Sequence, residues 1–219
     1  MKDIAILWDL DGTLLDTLQD LADGVNHVLH GCGLPERSVE QVRRFVGNGA
    51  RKLMEKALPG SPDDPPVEEA LAAFQRFYSV NCRNKTKPYG GITDALEELT
   101  RQGYPMAIVS NKPDSAVKTL CMQYFPGLYA KGESEDCPRK PAPDMVLAAM
   151  QALKVRRCIY VGDSEVDVQT AKNAAVPCLS VLWGFRDRET LTQAGGKYFC
   201  EDPKQLPGIL AAMEEEYGK

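Results

Sequence analysis

Histidine is scarce in this chain, with His27 and His30 the only two, and no C-x-x-C pair occurs among its seven cysteines. A scattered, odd set of thiols without ligand spacing excludes a zinc ribbon or a disulfide framework and implies reduced, structural cysteines. No run approaches the ~18 apolar residues that a membrane span requires. The first residues, MKDIAILWDLDG, interrupt their apolar stretch with acids too early for a secretory signal. Basic charge is also short: 26 Lys+Arg against 31 Asp+Glu leave a net of −5. That balance argues against a nucleic-acid surface, which needs a basic face, and leaves room for one local cation cluster that binds a small phosphorylated metabolite. The expectation is a cytoplasmic protein without nucleic-acid or membrane partners, monomeric or homodimeric.

What is present suits an ordinary folded chain of 219 residues, 43% hydrophobic and 26% charged. Ile4 to Trp8 is a branched apolar run stopped by Asp9, Asp11 and Gly12, which reads as a buried strand entering a loop. Similar runs occur at residues 105–109, 158–161 and 178–182, each after a helical pattern at 91–102, 143–154 and 164–175. Strands alternating with helices imply right-handed crossovers and an α/β, doubly wound parallel sheet. Residues 16–87 break that rhythm. Val67, Ala70, Leu71, Phe74, Phe77 and Tyr78 keep a helical stripe, and 18–29 and 39–58 also read as helical, the latter punctuated by Gly47 and Gly49. Residues 59–66 form a Pro/Asp-rich turn. The simplest division is a catalytic core of residues 1–16 and 88–219 with a helical cap at 17–87, hinged near 16–17 and 87–91.

Ligands in open parallel sheets bind at the carboxyl ends of the strands. The unusual polar residues fall there: Asp9-Leu10-Asp11-Gly12-Thr13, Ser110-Asn111-Lys112, Lys140-Pro141-Ala142-Pro143-Asp144 and Gly162-Asp163-Ser164-Glu165-Val166-Asp167. Each alone could be a turn or a helix cap. Together, and in this order, they point to phosphoryl transfer. Asp9, Asp11 and Asp163 concentrate negative charge that calls for a hard cation, Mg²⁺ rather than zinc. A carboxylate such as Asp9 can attack phosphorus, Lys140 can neutralise the transferring oxygens, and Asp11 can serve as general acid and then base. Gly12, Thr13, Ser110 and Asn111 are candidates to hold the phosphate. Asp163 and Asp167, four apart at a helix start, share a face.

These four motifs closely resemble the haloacid dehalogenase superfamily, in its phosphoglycolate phosphatase-like branch with a helical cap after the first strand. The resemblance implies an Mg²⁺-dependent phosphomonoesterase working through an aspartyl-phosphate. Asp9 would be the nucleophile and Asp11 the acid/base, with Ser110 and Lys140 on the phosphate. The metal would sit on Asp9, the Asp11 carbonyl and Asp163, supported by Asp167. Trp8 departs from the usual Phe before the nucleophile, a change not expected to alter the chemistry. The glycine-flanked turn at 46–52 resembles the family's cap loop, so Asn48, Gly49 and Arg51 are candidate substrate contacts, with 2-phosphoglycolate the leading substrate. Alternatives are a phosphosugar phosphatase or mutase, an inorganic pyrophosphatase, or a phosphate-binding regulatory module.

Overall fold

The computed structural model describes residues 2–61 and 64–217, so Pro62 and Asp63 of the expected 59–66 turn lie outside the described residues. Its first strand, β1 (Ile4–Trp8), is buried along its whole length. Side chains alternate across a strand. Ile4, Ile6 and Trp8 accordingly enter one apolar cluster, while Ala5 and Leu7 enter another on the opposite face. A strand wanted on both faces reads as an unbroken apolar run, as this one does.

Four helices follow: α1 (Leu18–Gly31), α2 (Val39–Phe45), α3 (Gly49–Ala57) and α4 (Val67–Asn81). They are bracketed by two short strands, β2 (Leu15–Asp16) and β3 (Lys87–Pro88), paired antiparallel. Strands of two residues are too short to show alternation, so the sequence pattern alone does not reveal this ribbon. The expected helical stretch 39–58 is two helices. Ser38 closes a capping box at the start of α2, and the chain turns extended at Val46 before Gly47 and Gly49 take positive φ angles of 121° and 80°. The α1–α4 packing is close because Gly24 presents no Cβ to the Phe74 ring.

After the ribbon come α5 (Ile92–Arg101), β4 (Met106–Pro113), α6 (Asp114–Tyr124), β5 (Tyr129–Glu133), α7 (Asp144–Leu153), β6 (Arg157–Gly162), α8 (Glu165–Asn173), β7 (Cys178–Val181), α9 (Arg188–Gln193), β8 (Tyr198–Cys200) and α10 (Leu206–Tyr217). Six strands form one parallel sheet in the order β5-β4-β1-β6-β7-β8. The α/β parallel fold expected from the alternation is therefore present. β4 runs past Val109, so Ser110, Asn111 and Lys112 belong to the strand end rather than to a following loop, with a register shift against β5. Chain direction across the sheet reverses at β1, whose neighbours are β4 and β6. That reversal opens a crevice beyond the carboxyl ends of the three central strands.

Candidate active site

β1 ends at Trp8, in register with Ile108 of β4 and Val161 of β6, and the Asp9 amide donates to the Val161 carbonyl at 2.8 Å. Adjacent strands lie about 4.8 Å apart, so their terminal side chains converge in the crevice. Asp9 is 7% exposed there. Lys140 Nζ directs its three N–H groups to Asp9 Oδ1 at 2.6 Å, Asp167 Oδ1 at 2.8 Å and the Tyr160 hydroxyl at 2.9 Å. Tyr160 in turn donates to Asp167 Oδ1. The other Asp167 oxygen accepts from the Ser164 amide and hydroxyl, within a capping box that opens α8. Asp167 is thus occupied on both oxygens and fixes Lys140. Lys140 holds Asp9 Oδ1, and Oδ2 accepts no hydrogen bond among the described residues.

Burial raises the Asp9 carboxyl to about 7, against the pull of Lys140, with the charges of Asp167 and Asp11 adding to the rise. Asp163 is pushed well above the ordinary carboxylate range by burial and by Asp167 and Asp9. Burial alone would neutralise Lys140, yet Asp167 and Asp9 outweigh it and hold the ammonium charged. Asp9, Asp163 and Asp167 each bring one oxygen to within 4.8 Å of the others. Buried carboxylates this close are costly unless a cation is shared between them. Their hard oxygens fit Mg²⁺, and because Asp167 is spent on Lys140 and Ser164, Asp9 and Asp163 are the better placed ligands.

Asp163 is held by the Phe185 amide on Oδ2 at 2.7 Å and by the Thr13 hydroxyl on Oδ1 at 3.3 Å. Gly12 has φ +87°, and a Cβ there would sit 2.4 Å from Asp163 Oδ2. Both backbone angle and space therefore demand glycine. Asp11 Oδ1 and Oδ2 receive the Lys112 ammonium at 2.8 and 2.9 Å.

The crevice is closed by the helical segment into a cavity of about 60 Å³. Asp9, Asp11, Ser110, Lys112, Lys140 and Asp163 line its floor; Leu21, Leu53, Phe74 and Tyr78 line its roof. Roof and floor are joined by polar contacts. Arg43 donates to the Gly184 and Phe185 carbonyls, while Arg186 donates to the carbonyls of Arg43 and Val46 and pairs with Glu165 at 2.8 Å. Asn111 Nδ2 reaches the Gly47 carbonyl at 3.2 Å.

The haloacid dehalogenase-like hydrolase family matches residues 6–181, most of the chain and all four of these motifs. The chain belongs to that family. A phosphoglycolate phosphatase of Pseudomonas fluorescens is 34% identical over 96% of this chain and 81% of its own length. One from Pseudomonas putida is 36% identical over 93% of this chain and 78% of its own. Among solved structures, a candidate phosphoglycolate phosphatase from Lactobacillus delbrueckii subsp. bulgaricus superposes with a TM-score of 0.85 at 34% identity, covering 94% of this chain and 97% of that one.

In this haloacid dehalogenase-like hydrolase the expected residues Asp9, Asp11, Ser110, Lys140 and Asp163 converge on one cavity, with Asp167 immediately behind Lys140. Others are placed differently. Asn111 spends its amide on backbone groups of Lys140 and Gly47 rather than keeping it for phosphate. Thr13 is fully buried and turned to Asp163, so it orients an acid and does not line the cavity. Arg51, expected as a substrate contact, is not among the residues that line the cavity, and its guanidinium pairs with Glu68 at 2.7 Å on the surface. Gly49 does line the cavity, whereas Asn48 offers its carbonyl to Arg139. Sequence reasoning passed over Tyr160, Ser164, Arg43, Arg186 and Tyr78. Ser164 had a local signal in the Ser-x-x-Asp spacing of a capping box, and Tyr78 lay on the helical stripe of residues 67–78 with nothing to mark it for a cavity.

Proposed function

We propose that this enzyme hydrolyses 2-phosphoglycolate, or a phosphomonoester of the same size and charge, with Asp9 as nucleophile and Mg²⁺ as cofactor. The chain is a phosphatase of the haloacid dehalogenase-like family; the substrate, the metal and the residue roles are what is proposed. The observation that carries the reading is the Lys140–Asp9–Asp163 arrangement on the floor of the capped crevice. The curated relatives named as phosphoglycolate phosphatases support the substrate. The mutase, pyrophosphatase and regulatory-module readings find no comparable support.

Lys140 fixes one oxygen of Asp9, which leaves Oδ2 to attack phosphorus in line with the departing ester oxygen. Asp11, two residues on and lining the same cavity, protonates that oxygen and then takes a proton from the water that cleaves the aspartyl-phosphate. Mg²⁺, held by Asp9, Asp163 and the Asp11 carbonyl, would neutralise phosphate charge. Ser110 supplies a hydroxyl to the phosphate. Residues 17–87 act as a cap that excludes bulk water over the cavity, with the β2–β3 ribbon as its stem.

The test is phosphate release from 2-phosphoglycolate, sugar phosphates, nucleotides and pyrophosphate, with Mg²⁺, with chelator, and with Asp9→Asn as blank. Fastest Mg²⁺-dependent release from 2-phosphoglycolate is expected. Preference for a larger ester would discard the substrate and retain the chemistry, while chelator-insensitive release would discard the metal.

A further inference from the structure

Three cations line the cavity: Lys112, Lys140 and Arg186. Two are fully engaged. Lys140 points its three N–H groups at Asp9, Asp167 and Tyr160, and Arg186 is tied to Glu165 and to two backbone carbonyls. Lys112 differs. It is 5% exposed, and both of its recorded side-chain hydrogen bonds go to the one carboxylate of Asp11. An ammonium has three donors, and the third faces the Tyr78 hydroxyl.

Beside it stands Tyr78 of α4. Its ring lies 4.7 Å from Lys112 Nζ, and it is 4% exposed. Its hydroxyl is buried beside that ammonium, and its own O–H finds no acceptor among the described residues. Buried hydroxyls almost always find a partner, so one left open on a cavity wall is arranged for something that enters. The surrounding roof is apolar: Leu21, Leu53 and Phe74. In such surroundings a single cation and a single hydroxyl act strongly on a visiting anion, because little water screens them.

We propose that Lys112 and Tyr78 form the subsite for a second anion of the substrate, a carboxylate carried on the alcohol side of the phosphomonoester. This rests on the phosphatase reading above and names what selects the substrate. The placement follows from Asp11. Lys112 grips the very carboxylate assigned to the leaving oxygen, so an acid group bound at Lys112 lies a short spacer from the ester bond. Lys112 then serves both ends of the reaction, presenting Asp11 to the ester and drawing the acid group under α4. Tyr78 donates the second hydrogen bond from the roof, which ties substrate recognition to the helical segment.

Binding separates this subsite from turnover. Calorimetry would compare 3-phosphonopropanoate, a non-hydrolysable mimic of a carboxylated ester, with propylphosphonate, in which a methyl replaces the carboxylate. Wild type, Tyr78→Phe and Lys112→Met would each be titrated with Mg²⁺ present, after circular dichroism has shown each variant folded. The carboxylated ligand should bind wild type at least ~10-fold more tightly, the worth of a hydrogen bond to a charged group. That advantage should shrink to about 2-fold or less in both variants. Tyr78→Phe keeps ring and packing, so it remains informative should Lys112→Met fold poorly. An advantage that is absent from wild type, or that survives in Tyr78→Phe, overturns the subsite. Its presence in wild type and loss in the variants, with no phosphate released from any ester, would uphold the subsite and sink the phosphatase reading alone.

Discussion

Asn111 binds both backbone polar groups of Lys140: Asn111 Oδ1 accepts the Lys140 amide at 2.7 Å, and Asn111 Nδ2 donates to the Lys140 carbonyl at 3.0 Å. A side chain at the end of β4 thereby sets the backbone from which the Lys140 ammonium extends, 29 residues further along the chain. The same Nδ2 also reaches the Gly47 carbonyl between α2 and α3. Asn111 is therefore a positioning residue for Lys140 and for the closed helical segment at once.

Asn111→Ala removes one acceptor and two donated bonds from a buried site, leaving the Lys140 amide unsatisfied. The cost should be about 2 kcal/mol, a fall in Tm of roughly 4–8 °C for a chain of this length. Turnover should drop on the order of 10²-fold, because Lys140 loses its seat and small displacements of a positioned group are expensive. Differential scanning fluorimetry and phosphate release on the same preparations check both figures. A stable variant with undiminished turnover would show that Lys140 is placed by its carboxylate partners alone.

Asp9→Asn and Lys140→Met should part company in stability while agreeing in activity. Asparagine is the same shape as aspartate and relieves the crowding of carboxylates around Asp9, so Tm should hold or rise. Methionine at 140 strips the shared cation from Asp9 and Asp167 and leaves buried carboxylates unpaired, a loss of about 3–5 kcal/mol. Both variants should lose at least ~10³-fold in turnover, as removal of a nucleophile or its partner does elsewhere. Equal stabilities would mean that the Lys140 ammonium does not offset the carboxylates packed around it.

Much of this site can be read along the chain because its parts sit beside strand ends, where an apolar run stops at polar residues. Asp9, Ser110 and Asp163 are such cases, and so is the alternation that builds the sheet. β5 escapes the same reading because Tyr129–Glu133 carries Lys131 and Glu133 and is only partly buried, so no apolar run marks it. Arg51 stands apart from the cavity for a different reason. Its neighbours Gly49 and Ala50 do line the cavity, but on a helix the next side chain is turned by about 100° and meets Glu68 instead. Tyr78 was visible as part of an amphipathic stripe, yet that stripe does not say which of its members faces a core and which a cavity. Contacts between distant segments, such as Arg186 with Val46, have no local signature at all.

Stability of the metal-free protein should fall as pH rises from about 4 towards 8. The sign follows from Asp9, whose folded pKa is raised from 3.8 to about 7. Between those values the native state binds more protons than the unfolded chain, so unfolding free energy decreases with pH. Asp163, raised well above its ordinary value, extends the same trend upward. Mg²⁺ competes with those protons and stabilises the carboxylates it binds. The increment in Tm on adding Mg²⁺ should therefore be small near pH 5 and several degrees near pH 8. Thermal melts with and without chelator at both pH values measure it. An increment independent of pH would place the cation away from Asp9 and Asp163.

Closure of the helical segment should depend on two arginines acting together. Arg43 reaches down to the Gly184 and Phe185 carbonyls, and Arg186 reaches up to the carbonyls of Arg43 and Val46. Phe185 also supplies the amide that holds Asp163, so this latch touches the backbone of the acidic cluster. Arg43→Ala and Arg186→Ala should each raise KM by about 10-fold and lower kcat less, since each removes contacts that favour the closed form over the open one. Because Arg186 binds the backbone of Arg43, the double variant should cost less than the sum of the two, with a coupling energy of about 0.5–3 kcal/mol. Global stability should change little, as the sheet and its two apolar clusters are untouched. Kinetics across the four proteins of the cycle give the coupling, and melting curves give the control. Strict additivity would mean that the two arginines hold separate parts of the interface, and a matching fall in Tm would mean that they serve folding and not closure.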